Sequence, residues 1–253
     1  MNGLRLGLTF LTRVPLDPTA PAPGDWGRAT RWFPLAGTFV ASAAIFAMFV
    51  GSLSHGPLLG AIAAVAAMFW ATGALHVDGL SDCLDGLHCN GDAARTLEVM
   101  HDPRAGAIGA AGTMLAMLAK VVLLAATVEA GTTGPAIWIA CVASRAFLPA
   151  EMLLVGPATP GRGMYARLSG ELQPLDAGIA VVSASLLVTP ALVIAPGLIT
   201  PLVVGLCGAG AFSIGWAASW RDRLGGLTGD VIGAAVELRE LILLAALSTR
   251  WLA

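Results

Sequence analysis

Residues Trp32–Leu53 read WFPLAGTFVASAAIFAMFVGSL, a run of 22 residues without Asp, Glu, Lys or Arg. A helix that crosses the hydrocarbon core of a bilayer needs about 20 predominantly apolar residues. Only three residues separate this run from a second apolar run, Pro57–Leu75. Two long apolar runs with so short a connection predict a hairpin of membrane-spanning helices.

The composition of the whole chain also indicates a membrane protein. Of its 253 residues, 57% are hydrophobic and 12% are charged, and the mean hydropathy is +0.79. So few polar side chains cannot cover a soluble protein of this length, so we expect a lipid bilayer around it. The net charge of -2 excludes the dense basic surface that nucleic-acid binding requires.

Further apolar runs bring the number of predicted spans to about seven. These runs are Ala105–Val128, Pro135–Val155, Ala177–Ala195, Leu198–Trp220 and Asp230–Leu247. The last is the weakest, because Glu237, Arg239 and Glu240 interrupt it. The sequence therefore predicts an all-α, polytopic integral membrane bundle that forms a single domain over residues 1–253. Leu4–Val14 is expected to be an interfacial or re-entrant N-terminal segment.

Basic residues alternate between the predicted loops. Ten of the 14 Lys and Arg residues lie before the first span or after the second, fourth and sixth, and the loops after the first, third and fifth hold none. Because short loops rich in Lys and Arg stay in the cytoplasm, the N-terminus is predicted to be cytoplasmic. Every loop with a dense polar sequence lies on that same side, so an active site is expected to face the cytoplasm.

The most concentrated polar stretch is Ala74-Leu-His-Val-Asp-Gly-Leu-Ser-Asp-Cys-Leu-Asp-Gly86. Asp78, Asp82 and Asp85 are spaced i, i+4 and i+7, so a helix continuing from the second span would place them on one face. Mutually repelling carboxylates call for a cation, and Mg2+ prefers a few carboxylate oxygens shared with water and substrate phosphates. We therefore predict a Mg2+ site here, in which Asp82 is either a ligand or a general base. The alternative is a solvated acidic helix end.

A second polar stretch, Met100-His-Asp-Pro-Arg-Ala-Gly-Ala-Ile-Gly109, precedes the third span. Its Asp102 and Arg104 flank a proline, and glycines follow at the predicted helix start. An arginine beside a helix N-terminus binds anions through its charge and through free backbone N–H groups. We expect a phosphate to bind here, with an ordinary membrane-flanking arginine as the alternative.

Several of the candidate residues lie inside the predicted spans. Arg145 is in the fourth span, and Glu237 follows Asp230 by seven residues in the last one. Ionisable groups within a membrane are costly, so they are functional candidates by default. For Arg145, a structural ion pair with Glu151 or with one of the aspartates is an equal alternative to substrate contact. Lys120 is a weaker candidate of the same kind.

Six stretches together resemble the cobalamin synthase family, the adenosylcobinamide-GDP ribazoletransferases. They are Phe10-Leu-Thr-Arg-Val-Pro15, Arg31-Trp-Phe-Pro-Leu-Ala-Gly37, His76-Val-Asp-Gly-Leu-Ser-Asp-Cys-Leu-Asp-Gly86, His101-Asp-Pro-Arg-Ala-Gly-Ala-Ile-Gly109, Ser144-Arg145 and Gly225-Gly-Leu-Thr-Gly-Asp-Val-Ile-Gly-Ala234. The resemblance covers nearly the whole chain in order, and the acidic stretch is its most specific part. Ser81, Cys83 and Leu84 fill that stretch differently from the usual pattern, but the aspartates stay in place.

The resemblance implies a Mg2+-dependent enzyme of the inner membrane that acts late in the assembly of the cobalamin nucleotide loop. It would join adenosylcobinamide-GDP to α-ribazole, or to α-ribazole 5′-phosphate, and release GMP. The expected catalytic residues are Asp82, Asp85 and Arg104, the expected metal ligands are Asp78, Asp82 and Asp85, and the expected substrate-binding residues are His76, Arg13, Asp102, Arg145, Asp230 and Glu237. A homo-oligomer or an association with other cobalamin-pathway enzymes is a further expectation.

Two other functions compete with this one. CDP-alcohol phosphotransferases also cleave a pyrophosphate at the membrane surface with the pattern D-G-x2-A-R-x8-G-x3-D-x3-D. Asp78 and Asp82 match its last fragment, but Gly73 is out of register and no D-G-x2-A-R precedes it. A transporter would use charged residues inside spans, such as Lys120 and Arg145. It should also show inverted repeats, and the sequence shows none.

Overall fold

The computed structural model describes residues 2–16, 20–161 and 163–249. Over these residues the chain is almost entirely helical, and its only β pairing is an isolated bridge between Pro157 and Leu227. The helices are α1 (Asn2–Leu11), α2 (Asp25–Ala29), α3 (Phe33–His55), α4 (Pro57–Thr72), α5 (Leu75–His88), α6 (Ala93–Met100), α7 (Ala107–Glu129), α8 (Thr133–Ala146), α9 (Leu148–Leu154), α10 (Gly163–Glu171), α11 (Pro174–Ile194), α12 (Ile199–Leu224) and α13 (Gly229–Leu247). Short 3-10 helices, Thr30–Trp32 and Pro196–Leu198, lead into α3 and α12.

Five helical segments of the described chain are long and apolar enough to cross a membrane. They are Asp25–His55, Ala107–Glu129, Thr133–Leu154, Pro174–Ile194 and Pro196–Leu224. The pair α4 and α5 would make a sixth if it counted as one span. The predicted polytopic helical membrane protein is therefore confirmed, with five or six segments that meet this standard where about seven were predicted.

The acidic stretch does not continue the helix of the second predicted span. Gly73 and Ala74 both adopt positive φ angles, 63° and 64°, and α5 leaves α4 at an angle of 92°. Because a left-handed backbone conformation ends an α helix, the turn redirects the chain across the end of the bundle. The three aspartates thus lie on a separate helix, outside the five membrane-crossing segments.

Helix α13 is the most enclosed helix of the bundle. Thirteen of its 19 residues are buried, and it packs against α5, α7, α8 and α12. Its charged residues keep it out of the set of apolar spans, although it matches the weakest predicted run. The other helices shield these charges from lipid, which explains how so polar a helix lies in the centre of the bundle.

The charged residues of α13 form buried ion pairs with neighbouring helices. Lys120 of α7 donates to Glu237 and, over 2.7 Å, to Glu240. Arg145 of α8 donates to Glu240 over 2.8 Å. The proposed partners of Arg145, Glu151 or an aspartate, were therefore wrong: Glu240 lies one turn beyond Glu237 on the face of α13 that α7 and α8 share.

Arg239 points to another side of α13. It donates to Glu151 of α9 and, over 3.0 Å, to Ser213 of α12, and its guanidinium lies over the ring of Phe147. The ion pairs on the two sides of α13 include three cationic and three anionic side chains, so the buried charges balance.

The loops that were predicted to lie on one side of the membrane meet at one end of the bundle. Leu227 exchanges backbone hydrogen bonds with the segment after α9, and Arg223 donates to the carbonyl of Cys89. Helix α1 packs on α2 at this same end, which places the predicted N-terminal segment there. Arg162, one of the ten basic loop residues, lies outside the described residues. We call this end of the molecule the polar end.

Candidate active site

Helix α5 packs between α13 and the start of α7, and two glycines allow the close approach of these helices. A Cβ atom on Gly79 would lie 2.7 Å from the carbonyl oxygen of Asp230, and one on Gly109 would lie 2.6 Å from that of Ser81. Real Cβ atoms do not approach backbone that closely. Gly79 and Gly109 therefore allow the starts of α13 and α7 to pack closely against α5 at the polar end.

An acidic cavity lies where these helices meet. Its volume is 280 Å³, and its polar lining consists of Asp78, Ser81 and Asp82 from α5, His101 and Asp102 from the loop before α7, and Asp230 from the start of α13. Four of the predicted site residues, Asp78, Asp82, Asp102 and Asp230, thus come together although 152 positions separate the first from the last.

The carboxylates of the acidic cavity repel one another. Burial and the charges of Asp78, Asp230 and Asp85 raise the pKa of Asp82 from 3.8 to about 7. An oxygen-rich cavity of this kind fits a hard cation such as Mg2+. Among the described residues, however, no group of three or more His, Cys, Asp or Glu side chains is arranged as a ready ligand set. A cation held here would need water or substrate oxygens to complete its shell.

Asp85 does not line this cavity. Its carboxylate accepts hydrogen bonds from the backbone N–H groups of Gly106, over 2.7 Å, and Gly109, over 2.8 Å. These donors belong to the N-terminus of α7, which has no intrahelical acceptors for them. The three aspartates predicted to form one metal site are therefore divided: Asp78 and Asp82 line the acidic cavity, and Asp85 fixes α7 to α5.

Two of the arginines predicted to contact the substrates, Arg104 and Arg13, lie at the surface. Arg104 makes a two-pronged ion pair with Asp102, Nη2 to Oδ2 over 2.8 Å and Nε to Oδ1 over 3.0 Å, and its side chain is 86% exposed. These hydrogen bonds lower the pKa of Asp102 to about 2. Arg13 is exposed at the corner between α4 and α5, beside Gly73, and is not among the residues that line the cavities described here.

A second, mostly apolar cavity adjoins the acidic one. It has a volume of 270 Å³, and leucine, isoleucine and glycine residues of α5, α9 and α13 form much of its wall. His76 and Tyr165 also line it. His101 and Asp230 line both cavities, so the two cavities share a wall.

His76, a predicted substrate-binding residue, lies in the wall of this apolar cavity. Its exposed fraction is 1%, and neither of its ring nitrogens has a hydrogen-bond partner in the described structure. Buried polar atoms are nearly always paired, because an unpaired one loses its hydrogen bonds to water. Arg145 and Glu237, in contrast, are paired with other side chains and do not line either cavity.

Three residues of this region were not singled out from the sequence. His101 precedes the predicted Asp102 and could have been included with it. Glu240 follows Glu237 by three residues on the same apolar helix, and that spacing marks a shared face. Tyr165, the only tyrosine of the chain, gives no such signal, because the loop before α10 determines where it lies.

Gly109→Ala is expected to destabilise the protein by about 1–3 kcal/mol, because the added methyl group would push α7 away from α5. The collision involves the backbone of Ser81 and the carboxylate of Asp85, and the backbone cannot move without displacing α5. Thermal unfolding in detergent would measure the change. Gly112→Ala in the same helix is the matched control, because its Cβ would meet only the flexible end of Leu84. Equal stability of the two variants would contradict the close approach.

The sequence profile of the family described as cobalamin-5-phosphate synthase matches residues 3–248. Three relatives carry the name adenosylcobinamide-GDP ribazoletransferase. The protein from Thiobacillus denitrificans is 35% identical over 98% of this chain and 96% of its own length. Those from Novosphingobium aromaticivorans and Pseudomonas aeruginosa PAO1 are 34% and 35% identical, over 100% and 98% of this chain and 99% and 98% of their own lengths.

No solved structure matches significantly. The profile and the relatives both extend over nearly the whole chain, in agreement with the stretches that suggested the resemblance. This chain belongs to the cobalamin-5-phosphate synthase family.

Proposed function

We propose that this protein is an adenosylcobinamide-GDP ribazoletransferase of the inner membrane, with its active site at the polar end and facing the cytoplasm. The names of its relatives support the reaction. The observation that carries the proposal in this chain is the pair of cavities that share His101 and Asp230. One cavity is acidic and suits a cation with a pyrophosphate, and the other is apolar and suits an uncharged group.

The reaction is a phosphoryl-group substitution. A hydroxyl oxygen of the ribazole forms a bond to the phosphorus atom that carries the cobinamide. The bond from that phosphorus to the bridging oxygen of the pyrophosphate breaks, and GMP leaves with the bridging oxygen. The hydroxyl proton passes to a base. Catalysis of such a step depends mainly on positioning and on charge stabilisation, so the protein must hold the pyrophosphate beside the acceptor hydroxyl.

Mg2+ would supply charge neutralisation on the pyrophosphate, which makes GMP a better leaving group. We assign its binding to Asp78 and Asp82, with the remaining positions of its shell left for water and substrate oxygens. We assign Asp85 a positioning role, because its carboxylate holds the glycine-rich start of α7 against α5. Arg104 and Arg13, which are exposed at the polar end, are proposed to contact the phosphates of the substrates.

Asp230 is proposed to be the base. It borders both cavities, so it lies where the acceptor hydroxyl would meet the pyrophosphate. Burial raises its pKa, and a carboxylate with a raised pKa accepts a proton more readily near neutral pH. Arg145 and Glu237 keep a positioning role, since their ion pairs fix the helix that carries Asp230.

The reaction is tested directly with purified protein in detergent. With adenosylcobinamide-GDP, α-ribazole and Mg2+, we expect a cobalamin and GMP to form in equal amounts. Parallel assays with α-ribazole 5′-phosphate would identify the preferred acceptor. A transporter would give no product in the absence of a sealed compartment. A CDP-alcohol phosphotransferase would instead release CMP from a CDP-linked alcohol and leave the corrinoid unchanged.

Stabilisation of the protein by Mg2+ is expected to increase with pH. In the folded protein Asp82 keeps its proton up to about pH 7, whereas an ordinary aspartate loses it near 3.8. Without metal, the folded state therefore binds more protons between these values, and its stability falls as the pH rises through this window. Mg2+ binds the deprotonated carboxylate, so its effect grows over the same range.

Thermal unfolding with Mg2+ or EDTA, at about pH 5.5 and about pH 8, would measure this effect on either side of the raised pKa. Asp82→Asn is the matched variant, because it removes the titrating group and should flatten the pH dependence. An equal Mg2+-induced shift at both pH values in the unmodified protein would contradict the assignment of Asp82 to the metal.

A further inference from the structure

We propose that the apolar cavity binds the base of the acceptor riboside and that His76 determines its specificity through a hydrogen bond to a ring nitrogen. The inference rests on the proposed function. It adds the location of the acceptor, the side chain that recognises it and the place where its hydroxyl meets the donor.

His76 is a buried residue of the apolar cavity that lacks hydrogen-bond partners within the described part of the chain. A neutral imidazole offers one donor and one acceptor, and both ring nitrogens of His76 are buried without a partner. Tyr165, in the same cavity, donates its hydroxyl proton to the carbonyl of Val155 over 3.2 Å and is therefore already paired. His76 is thus the buried polar group of this wall that a ligand would satisfy.

The wall of the apolar cavity suits the chemistry of the ribazole base. Its apolar lining includes Leu75, Leu148 and Ile232, and Gly233 lies beside the ring of His76. The base of ribazole is a dimethyl-substituted benzimidazole, a flat and mostly apolar bicycle with one ring nitrogen free to accept a hydrogen bond. An apolar wall with a single unpaired donor is complementary to this base.

The other substrate groups fit this cavity less well. Guanine carries polar groups along most of its edges. The polar side chains that line this cavity besides His76, namely His101, Thr159, Tyr165, Thr228 and Asp230, are fewer than the apolar ones, so much of the guanine edge would face apolar surface. The corrin ring is too large, since 270 Å³ lies just below the range of about 300–1,000 Å³ that is typical of drug-sized ligands. A lipid chain would leave His76 unpaired. The benzimidazole base is the one group that satisfies both His76 and the apolar wall.

The apolar cavity also lies next to the proposed reaction centre, because it shares His101 and Asp230 with the acidic cavity. A base in the apolar cavity places its attached ribose toward the shared wall of His101 and Asp230. The ribose hydroxyl would then reach the proposed base and the pyrophosphate in the acidic cavity. The geometry therefore orders the substrates along a line from the base of the acceptor, through Asp230, to the metal and the donor.

The test compares two acceptors that differ in one atom. Benzimidazole riboside has the ring nitrogen that His76 would contact, and indole riboside has a C–H group in its place. We expect the unmodified protein to favour the benzimidazole by about 10-fold or more in kcat/KM, because the indole leaves His76 unpaired. In His76→Leu this preference should fall to near one, while the KM for adenosylcobinamide-GDP stays unchanged. His76→Gln keeps a donor and should retain part of the preference.

The matched control is His88→Leu, an exposed histidine at the other end of α5, which should keep the full preference. The proposal is overturned if the unmodified protein handles both ribosides equally, or if His76→Leu keeps the preference. It is also overturned if His76→Leu weakens inhibition by GMP instead, because guanine would then occupy the cavity.

Equilibrium binding of labelled benzimidazole riboside, without the donor, separates this inference from the proposed function. Binding that is lost in His76→Leu supports the cavity assignment even if no transfer occurs. Transfer without any dependence of acceptor preference on His76 supports the proposed reaction and overturns the cavity assignment. Because the two ribosides are also compared in the unmodified protein, a misfolded variant does not remove the test.

Discussion

Asp82→Asn is expected to lower kcat for the transfer by about 10²–10³-fold, because a preorganised charge that stabilises the transition state is lost. The side chain keeps its size, but it can no longer hold a cation with a full negative charge. The KM for the acceptor riboside should change little, because Asp82 lines the acidic cavity and not the apolar one. Initial rates measured with the acceptor riboside and Mg2+ each varied in turn would give both quantities, and the Mg2+ concentration needed for half-maximal rate should increase.

Three further Asp→Asn variants make this prediction specific. Asp222→Asn, on the exposed end of α12, is the matched control and should keep full activity. Asp85→Asn should reduce stability more than kcat, because its carboxylate caps α7. Asp230→Asn should lower kcat by about 10²–10⁴-fold, as expected for a general base, with an unchanged Mg2+ requirement. Full activity of Asp82→Asn at every Mg2+ concentration would contradict the assigned role.

Much of the fold could be predicted because membranes restrict which sequences span them. Long apolar runs indicated the helices, and the alternation of basic residues indicated that the polar loops gather at one end. Asp78, Asp82 and Asp85 do lie on one helix, but this helix is not the expected continuation of the second span. The left-handed conformation of Gly73 and Ala74, which turns that helix by 92°, could not be predicted, because a Gly-Ala pair also occurs inside ordinary apolar helices.

The predictions for individual side chains depended on neighbours that are distant in sequence. The role of Asp85 could not be distinguished from the roles of Asp78 and Asp82, because the sequence does not show that the start of α7 presents unpaired N–H groups to Asp85. Arg145 was correctly expected to need a partner, but Glu240 is 95 positions away. The unpaired state of His76 and the shared wall of the two cavities are properties of packing, and no local pattern specifies them.

Glu240→Ala is expected to destabilise the protein by about 3–5 kcal/mol, the loss typical of removing one partner from a buried ion pair. Glu240 is 1% exposed and accepts hydrogen bonds from both Lys120 and Arg145. Without it, Lys120 shares only Glu237, and Arg145 becomes a buried cation without an anionic partner. Thermal unfolding in detergent, together with the yield of folded protein in the membrane fraction, would measure the loss.

The matched control is Glu98→Gln, which breaks an ion pair with Arg95 whose side chains are 56% and 69% exposed. Water screens such a pair, so the loss should be much smaller than the loss caused by Glu240→Ala. Adding Arg145→Leu to Glu240→Ala should recover part of the stability, because it removes the unpaired cation. If the double variant is less stable than Glu240→Ala, the cost does not come from the buried charge. Recovery of stability would show that the cost of Glu240→Ala comes from the buried cation that it leaves without a partner.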